Sequence, residues 1–121
     1  MKKILIVDDD QDVRNLVEKT LRRADREIFT AENGEDGVAQ AKTIQPDLIM
    51  MDIMMPGAID GMEATKRIKD DPLTKNCTII MLTAKDGELD RQKGAEVGAD
   101  DYFAKPFSPL ELMRKADEVL E

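Results

Sequence analysis

Six polar side chains stand where apolar runs of the chain end. Asp8, Asp9 and Asp10 follow residues 4–7, Asp52 follows 48–51, Thr83 follows 79–82, and Lys105 closes the run that begins at Asp101. Carboxylates held a few ångströms apart repel one another, and the cost is relieved by a proton or by a bound cation. Donors that are all oxygen select a hard ion. Mg²⁺ suits such a site best, because it takes few protein ligands and keeps waters for a phosphoryl group, and Ca²⁺ is its rival. An ion so placed suggests a phosphoryl reaction at a carboxylate. Asp52 would attack phosphorus to form an acyl phosphate, Lys105 and the ion would neutralise the transferring oxygens, and the Thr83 hydroxyl would donate to another.

For these side chains to meet, the runs that carry them must lie side by side. Five short apolar or β-rich runs begin near Lys3, Arg26, Asp47, Thr78 and Asp101, and each precedes a stretch with helical spacing, a (βα)5 rhythm. Val13, Leu16, Val17, Thr20, Leu21 and Ala24 recur at helical intervals and predict one buried stripe on the first helix. Ser108, Pro109 and Glu111 predict a capped start for the last helix, ahead of core-facing Leu112, Met113, Ala116, Val119 and Leu120. Asn33 with Asp36, and Asp60 with Glu63, mark the starts of the second and third. The fourth, from about Gly87 to Val97, offers a thin stripe of Leu89, Ala95 and Val97 broken by Lys93 and Gly94, which predicts weaker packing.

Runs 4–7, 48–51 and 79–82 are apolar on both alternating faces, as strands covered by helices on two sides require. Runs 26–31 and 101–105 carry charge suited to sheet edges. Of the two common doubly wound orders, 2-1-3-4-5 places the charged runs outside, whereas an order beginning 3-2-1 exposes the apolar third strand. The expected architecture is therefore α/β, a doubly wound parallel sheet of order 2-1-3-4-5. Its crevice lies at the carboxyl ends of the strands, between the first and the third.

Composition narrows the partners. The 121 residues make room for one domain spanning 1–121, and a 41% hydrophobic content supplies its core. A net charge of −8 repels phosphate backbones and anionic lipid, so neither nucleic acid nor membrane is expected as a direct partner. The chain has no histidine, so any phosphohistidine belongs to a partner. Cys77 stands alone, and neither a secretory leader nor an apolar run of about 18 residues is present, which points to the cytoplasm.

Each candidate has a plainer reading. Asp10 reads first as a helix cap, Thr83 as a common strand-end residue, and Lys105 as an edge lysine that deters sheet association. Met50, Met51, Met54 and Met55 read as core filling and strand-end packing, and Cys77 as structural or incidental. Convergence favours chemistry, because four strand ends deliver acids, a hydroxyl and an ammonium to one rim. Rival functions fit less well. A calcium loop through Asp8, Asp10 and Asp12 would need glycine where Val13 stands and glutamate where Lys19 stands. A flavin carrier needs a donor-rich loop in place of Asp8, Asp9 and Asp10. A phosphatase would need a separate acid and substrate pocket. A docking module without phosphorylation has no use for Asp9, Asp52, Thr83 and Lys105 together.

At these residues the chain resembles the receiver domain of two-component response regulators, and in particular the chemotaxis-regulator type. The resemblance rests on segment 4–10, on 46–56 with Asp60 and Gly61 after it, on 81–84, and on 102–107, all in family order and spacing. It implies a flavodoxin-like, three-layer α/β/α fold. It further implies Asp52 as phosphoacceptor, and Mg²⁺, replaceable by Mn²⁺, held by Asp9, Asp52 and the Met54 carbonyl with Asp8 assisting directly or through water. Thr83 and Lys105 would contact the phosphoryl group, with Thr83 and Tyr102 relaying its presence to the face formed by the fourth helix, fifth strand and fifth helix. The donor would be a sensor histidine kinase or histidine phosphotransfer protein, and the recipient of the signal an effector protein or domain. Such a domain catalyses only its own phosphorylation and slow dephosphorylation. The Lys105–Pro106 peptide is expected to be cis.

Two departures from the family pattern stand out. Gly57, Ala58, Ile59 and Asp60 separate Pro56 from Gly61, one residue more than the commoner spacing, so the loop after Asp52 is expected to follow its own path. Met54 and Lys85 stand two after Asp52 and two after Thr83, at positions which, the resemblance implies, influence phosphoryl lifetime through water access.

Overall fold

The computed structural model describes residues 1–83 and 91–121 in full, and the backbone of 88–90. Ten elements alternate along the chain: β1 (Lys2–Val7), α1 (Gln11–Leu21), β2 (Arg26–Ala31), α2 (Gly34–Ile44), β3 (Leu48–Asp52), α3 (Gly61–Asp70), β4 (Thr78–Thr83), α4 (Glu88–Val97), β5 (Asp101–Ala104) and α5 (Pro109–Leu120). The strands form one parallel sheet of order β2-β1-β3-β4-β5, the flavodoxin-like arrangement. Charge at the edges decides the order as expected: β1, β3 and β4 bury nearly every residue, while β2 and β5 are largely half-buried.

Alternation of side chains divides the core between two faces. Leu5, Val7, Ile49, Met51, Ile79 and Met81 pack beneath α2 and α3 with Ala41, Ala64 and Ile68. Ile4, Ile6, Leu48, Met50, Ile80 and Leu82 pack beneath α1 and α5 with Val17, Leu21, Leu112 and Ala116. Caps begin four helices. Asp10, Asn33, Asp60 and Ser108 accept hydrogen bonds from the amides of Asp12, Asp36, Glu63 and Glu111.

Three expectations need correction. Leu16 and Met113 are 46% and 42% exposed instead of facing the core. Because α1 and α5 lie side by side on one face, each buries only its central line of side chains. Ala24 is exposed beyond the end of α1 at Leu21. In α4, Ala95 is exposed, and among the described residues the buried one is Gly94, where an added Cβ would sit 2.8 Å from Met81 Sδ and 2.9 Å from Tyr102 Cε1. The absence of a side chain there brings the α4 backbone against β4 and β5. Gly87, Ala84, Lys85 and the side chain of Leu89 lie outside the described residues.

Candidate functional site

The parity that builds the two core faces also builds the site. Asp8 continues the Ile4 and Ile6 side of β1, Asp52 continues Leu48 and Met50, and Lys105 continues Phe103, so all three leave the sheet on the α1 and α5 face. In the β1 to β3 register Ile4 lies beside Leu48 and Ile6 beside Met50, and the next step brings Asp8 beside Asp52. β5 is aligned by a bond from the Lys105 amide to the Thr83 carbonyl, 2.8 Å. The Lys105–Pro106 peptide is cis.

Lys105 Nζ donates to Asp8 Oδ2 at 2.9 Å and to Asp52 Oδ1 at 3.0 Å. Asp8 is fully buried and Asp52 only 5% exposed, so two buried acids share one ammonium that is itself 29% exposed. Asp9 stands at its solvent side, and oxygens of Asp8, Asp9 and Asp52 lie within 4.8 Å of one another. A pocket of about 270 Å³ opens over them, lined also by Met54, Thr83 and Lys105. The donor set, three carboxylates with no sulfur or imidazole, fits a hard divalent cation.

Electrostatics in the cluster are unbalanced. Burial, and then the charge of Asp8, raise the Asp52 carboxyl from 3.8 to about 7 against the opposing pull of Lys105. Burial pulls the Lys105 ammonium down, but its bonds to Asp8 and Asp52 outweigh that and hold it above its ordinary value. One cation between two buried acids leaves room for a second positive charge.

The predicted residues separate into those that meet and those that do not. Asp8, Asp9, Asp52, Thr83 and Lys105 line one pocket, and Thr83 is buried at its floor. Asp10 touches the same rim, but its carboxylate caps α1 while its amide donates to Asp8 Oδ1 at 2.9 Å. Met50, Met51 and Met55 are core residues as expected, whereas the Met54 side chain is 74% exposed and fills nothing. Tyr102 is half-buried on the opposite face from Lys105, paired with Met81 in the sheet and beneath Gly94, with the Arg91 guanidinium 5.9 Å from its ring centroid. Cys77 is buried, its thiol donating to the Thr74 carbonyl at 2.7 Å, in keeping with a structural reading.

Two residues support the site in ways the sequence reading did not assign: Arg14, which it passed over, and Gly61, which it named only as part of the motif. Arg14 donates from Nη1 to the Asp8 carbonyl at 2.7 Å and reaches Glu32 at 3.6 Å, so α1 grips the loop that carries the acids. Its only signal was an arginine four residues after the Asp10 cap. Gly61 presses directly on the main chain of Asp52, and its amide donates to Ile53 at 2.8 Å. A Cβ there would overlap the Asp52 carbonyl oxygen.

Comparison with known proteins agrees with this geometry. The family model described as "Response regulator receiver domain" matches residues 4–117. The phosphate regulon transcriptional regulatory protein PhoB of Pseudomonas aeruginosa is 46% identical over 119 residues, 98% of this chain and 52% of the relative. The alkaline phosphatase synthesis transcriptional regulatory protein PhoP of Bacillus subtilis is 43% identical over 119 residues, 98% of this chain and 48% of the relative. The chain thus spans about half the length of the curated relatives it matches. Among solved structures, the chemotaxis protein CheY4 of Vibrio cholerae superposes with a TM-score of 0.89 at 34% identity, covering 98% of each chain. A beryllofluoride-activated receiver domain, DrrB, gives 0.87 at 32% identity over 99% of this chain and 97% of that one. No helix among the described residues is long and apolar enough to cross a membrane. Matched by the family model over residues 4–117 and by relatives above 40% identity along 98% of its length, this chain belongs to the response regulator receiver domains of two-component systems.

Proposed function

We propose that residues 1–121 act as one receiver unit that accepts a phosphoryl group on Asp52 from a phosphohistidine of a sensor histidine kinase or phosphotransfer protein. The observation that carries the proposal is the Lys105 ammonium shared between buried Asp8 and Asp52, with Asp9 completing an oxygen-only rim. Asp9, Asp52 and the Met54 carbonyl would hold Mg²⁺, or Mn²⁺ in its place, with Asp8 assisting directly or through water. When bound, the ion supplies positive charge to the oxygens of the transferring group.

The chain's own residues do the rest. An ionised Asp52 oxygen forms the new bond to phosphorus as the phosphorus–nitrogen bond of the donor breaks, and that electron pair returns to the partner's imidazole. Lys105 gives up a carboxylate to bind a phosphoryl oxygen, and Thr83 donates its hydroxyl to another. The donor must be a partner, since this chain lacks histidine. Receiver domains are phosphoacceptor switches and not turnover enzymes. Catalysis by this unit is confined to self-phosphorylation and slow self-dephosphorylation.

The added charge of about −1.5 to −2 then reorders the floor of the pocket. Movement of Thr83 toward the phosphoryl group opens space beneath α4, and Tyr102 turns to fill it, altering the α4, β5 and α5 face that an effector protein or domain reads. The proposed setting is the cytoplasm, without direct contact to nucleic acid or membrane by this unit. Intact mass after incubation with acetyl phosphate and Mg²⁺ tests the acceptor: one phosphoryl group is expected on the wild type and none on Asp52→Asn, and retention on the variant refutes Asp52. Amide exchange with Mg²⁺ and beryllofluoride tests the relay, which fails if α4 and β5 are unchanged.

A further inference from the structure

The loop between β3 and α3, residues 53–60, begins at the acceptor and carries the Met54 carbonyl. Its base is closed by the Gly61 amide bonded to Ile53 at 2.8 Å. Beyond that closure the loop reaches sideways onto the first turn of α2. The Ala58 amide donates to Glu35 Oε1 at 2.9 Å, and among the described residues this is the hydrogen bond that ties the main chain of 54–59 to another element. Gly57, at φ +114°, lies so near that an added Cβ would stand 2.9 Å from the same oxygen. Ile59 is buried over Gly34. Three consecutive residues, Gly57, Ala58 and Ile59, therefore rest on two consecutive residues of α2, and all three belong to the lengthened segment between Pro56 and Gly61.

We infer that Glu35 is a positioning residue for the acceptor site: its carboxylate anchors Ala58 and thereby fixes the main chain that presents the Met54 carbonyl to a divalent cation. The inference rests on the reading of Asp9, Asp52 and Met54 as the cation's holders. Glu35 itself touches neither the ion nor the phosphoryl group. An untethered loop must be ordered each time the ion binds, and that entropy is subtracted from affinity. A tethered one is ordered beforehand.

The test compares wild type, Glu35→Ala and Glu35→Gln by NMR, following amide exchange of residues 54, 55 and 57–59 in metal-free protein and the titration of the same amides with MgCl₂. Glutamine keeps an acceptor oxygen and should rescue. Glu35→Ala should speed exchange at Ala58 and weaken Mg²⁺ about threefold to tenfold, the size expected from one ordinary solvent-exposed hydrogen bond, while Glu35→Gln stays within about twofold of wild type. Unchanged Mg²⁺ affinity in Glu35→Ala, with or without faster exchange, overturns the inference. A loss that glutamine fails to restore overturns it too, since charge and not the acceptor would then be responsible. A wild type with no saturable Mg²⁺ response would sink the underlying reading of the site. A wild-type response that Glu35→Ala leaves untouched sinks only the role of Glu35.

Discussion

Replacing Asp52 by asparagine should make the metal-free protein more stable, and the gain should grow with pH. In the folded chain the Asp52 carboxyl titrates near 7, against 3.8 for the ordinary side chain. Between those values the folded state holds a proton that the unfolded chain has lost, so stability falls as pH rises and levels off above about 7. From pH 5.5 to 7 the slope of about 1.4 kcal/mol per unit accumulates about 2 kcal/mol of destabilisation in the wild type. The side-chain amide introduced by Asp52→Asn does not titrate, so the variant's advantage over wild type should widen by about 2 kcal/mol between pH 5.5 and pH 8. Lys105 keeps Asp8 as its partner in either case. Urea unfolding in EDTA at the two pH values measures the gap, and millimolar Mg²⁺ should close it by stabilising only the wild type. Parallel stability curves for the two proteins would refute the idea that Asp8 and burial strain the acceptor.

Lys105→Met should leave two buried acids without their cation and cost about 2 to 3 kcal/mol at pH 8 in EDTA, less at pH 5.5, with Mg²⁺ restoring part of it; equal losses at both pH values would contradict the ion-pair account. Gly61→Ala should destabilise by about 3 kcal/mol in urea unfolding, because its methyl overlaps the main chain of Asp52 with no flexible side chain to yield. Gly94→Ala crowds the sulfur of Met81 and the ring of Tyr102, both side-chain atoms, and that crowding is offset by about 1 kcal/mol of gained helix propensity. Its stability should stay within about 1 kcal/mol of wild type while the Tyr102 ring resonances shift.

The strand order was readable because β3 is apolar on both faces and β2 is not, and that asymmetry alone selects between the two windings. The pocket was readable because its acids and lysine end strands, where side-chain parity propagates from a buried run. What stayed hidden depends on distances between elements far apart in sequence. Nothing around Glu35 announces that its carboxylate meets Ala58, 23 residues on. Arg14 looked like one more charge on a helix, yet its guanidinium turns back to the Asp8 carbonyl. The fourth helix misled for a related reason: among its described residues the close approach to the sheet is at Gly94, and a residue without a side chain leaves no mark in an apolar stripe. Leu16 and Met113 followed the helical period but fell on flanks that the sheet is too narrow to cover.

The seat of Tyr102 beneath α4 has a practical side. The chain holds no tryptophan and one tyrosine, so its tyrosine emission issues from a single ring, which lies against Gly94 with the Arg91 guanidinium over it. The unlabelled wild-type protein thus carries its own fluorophore at the joint between sheet and helix, where a displacement of that helix should change the emission.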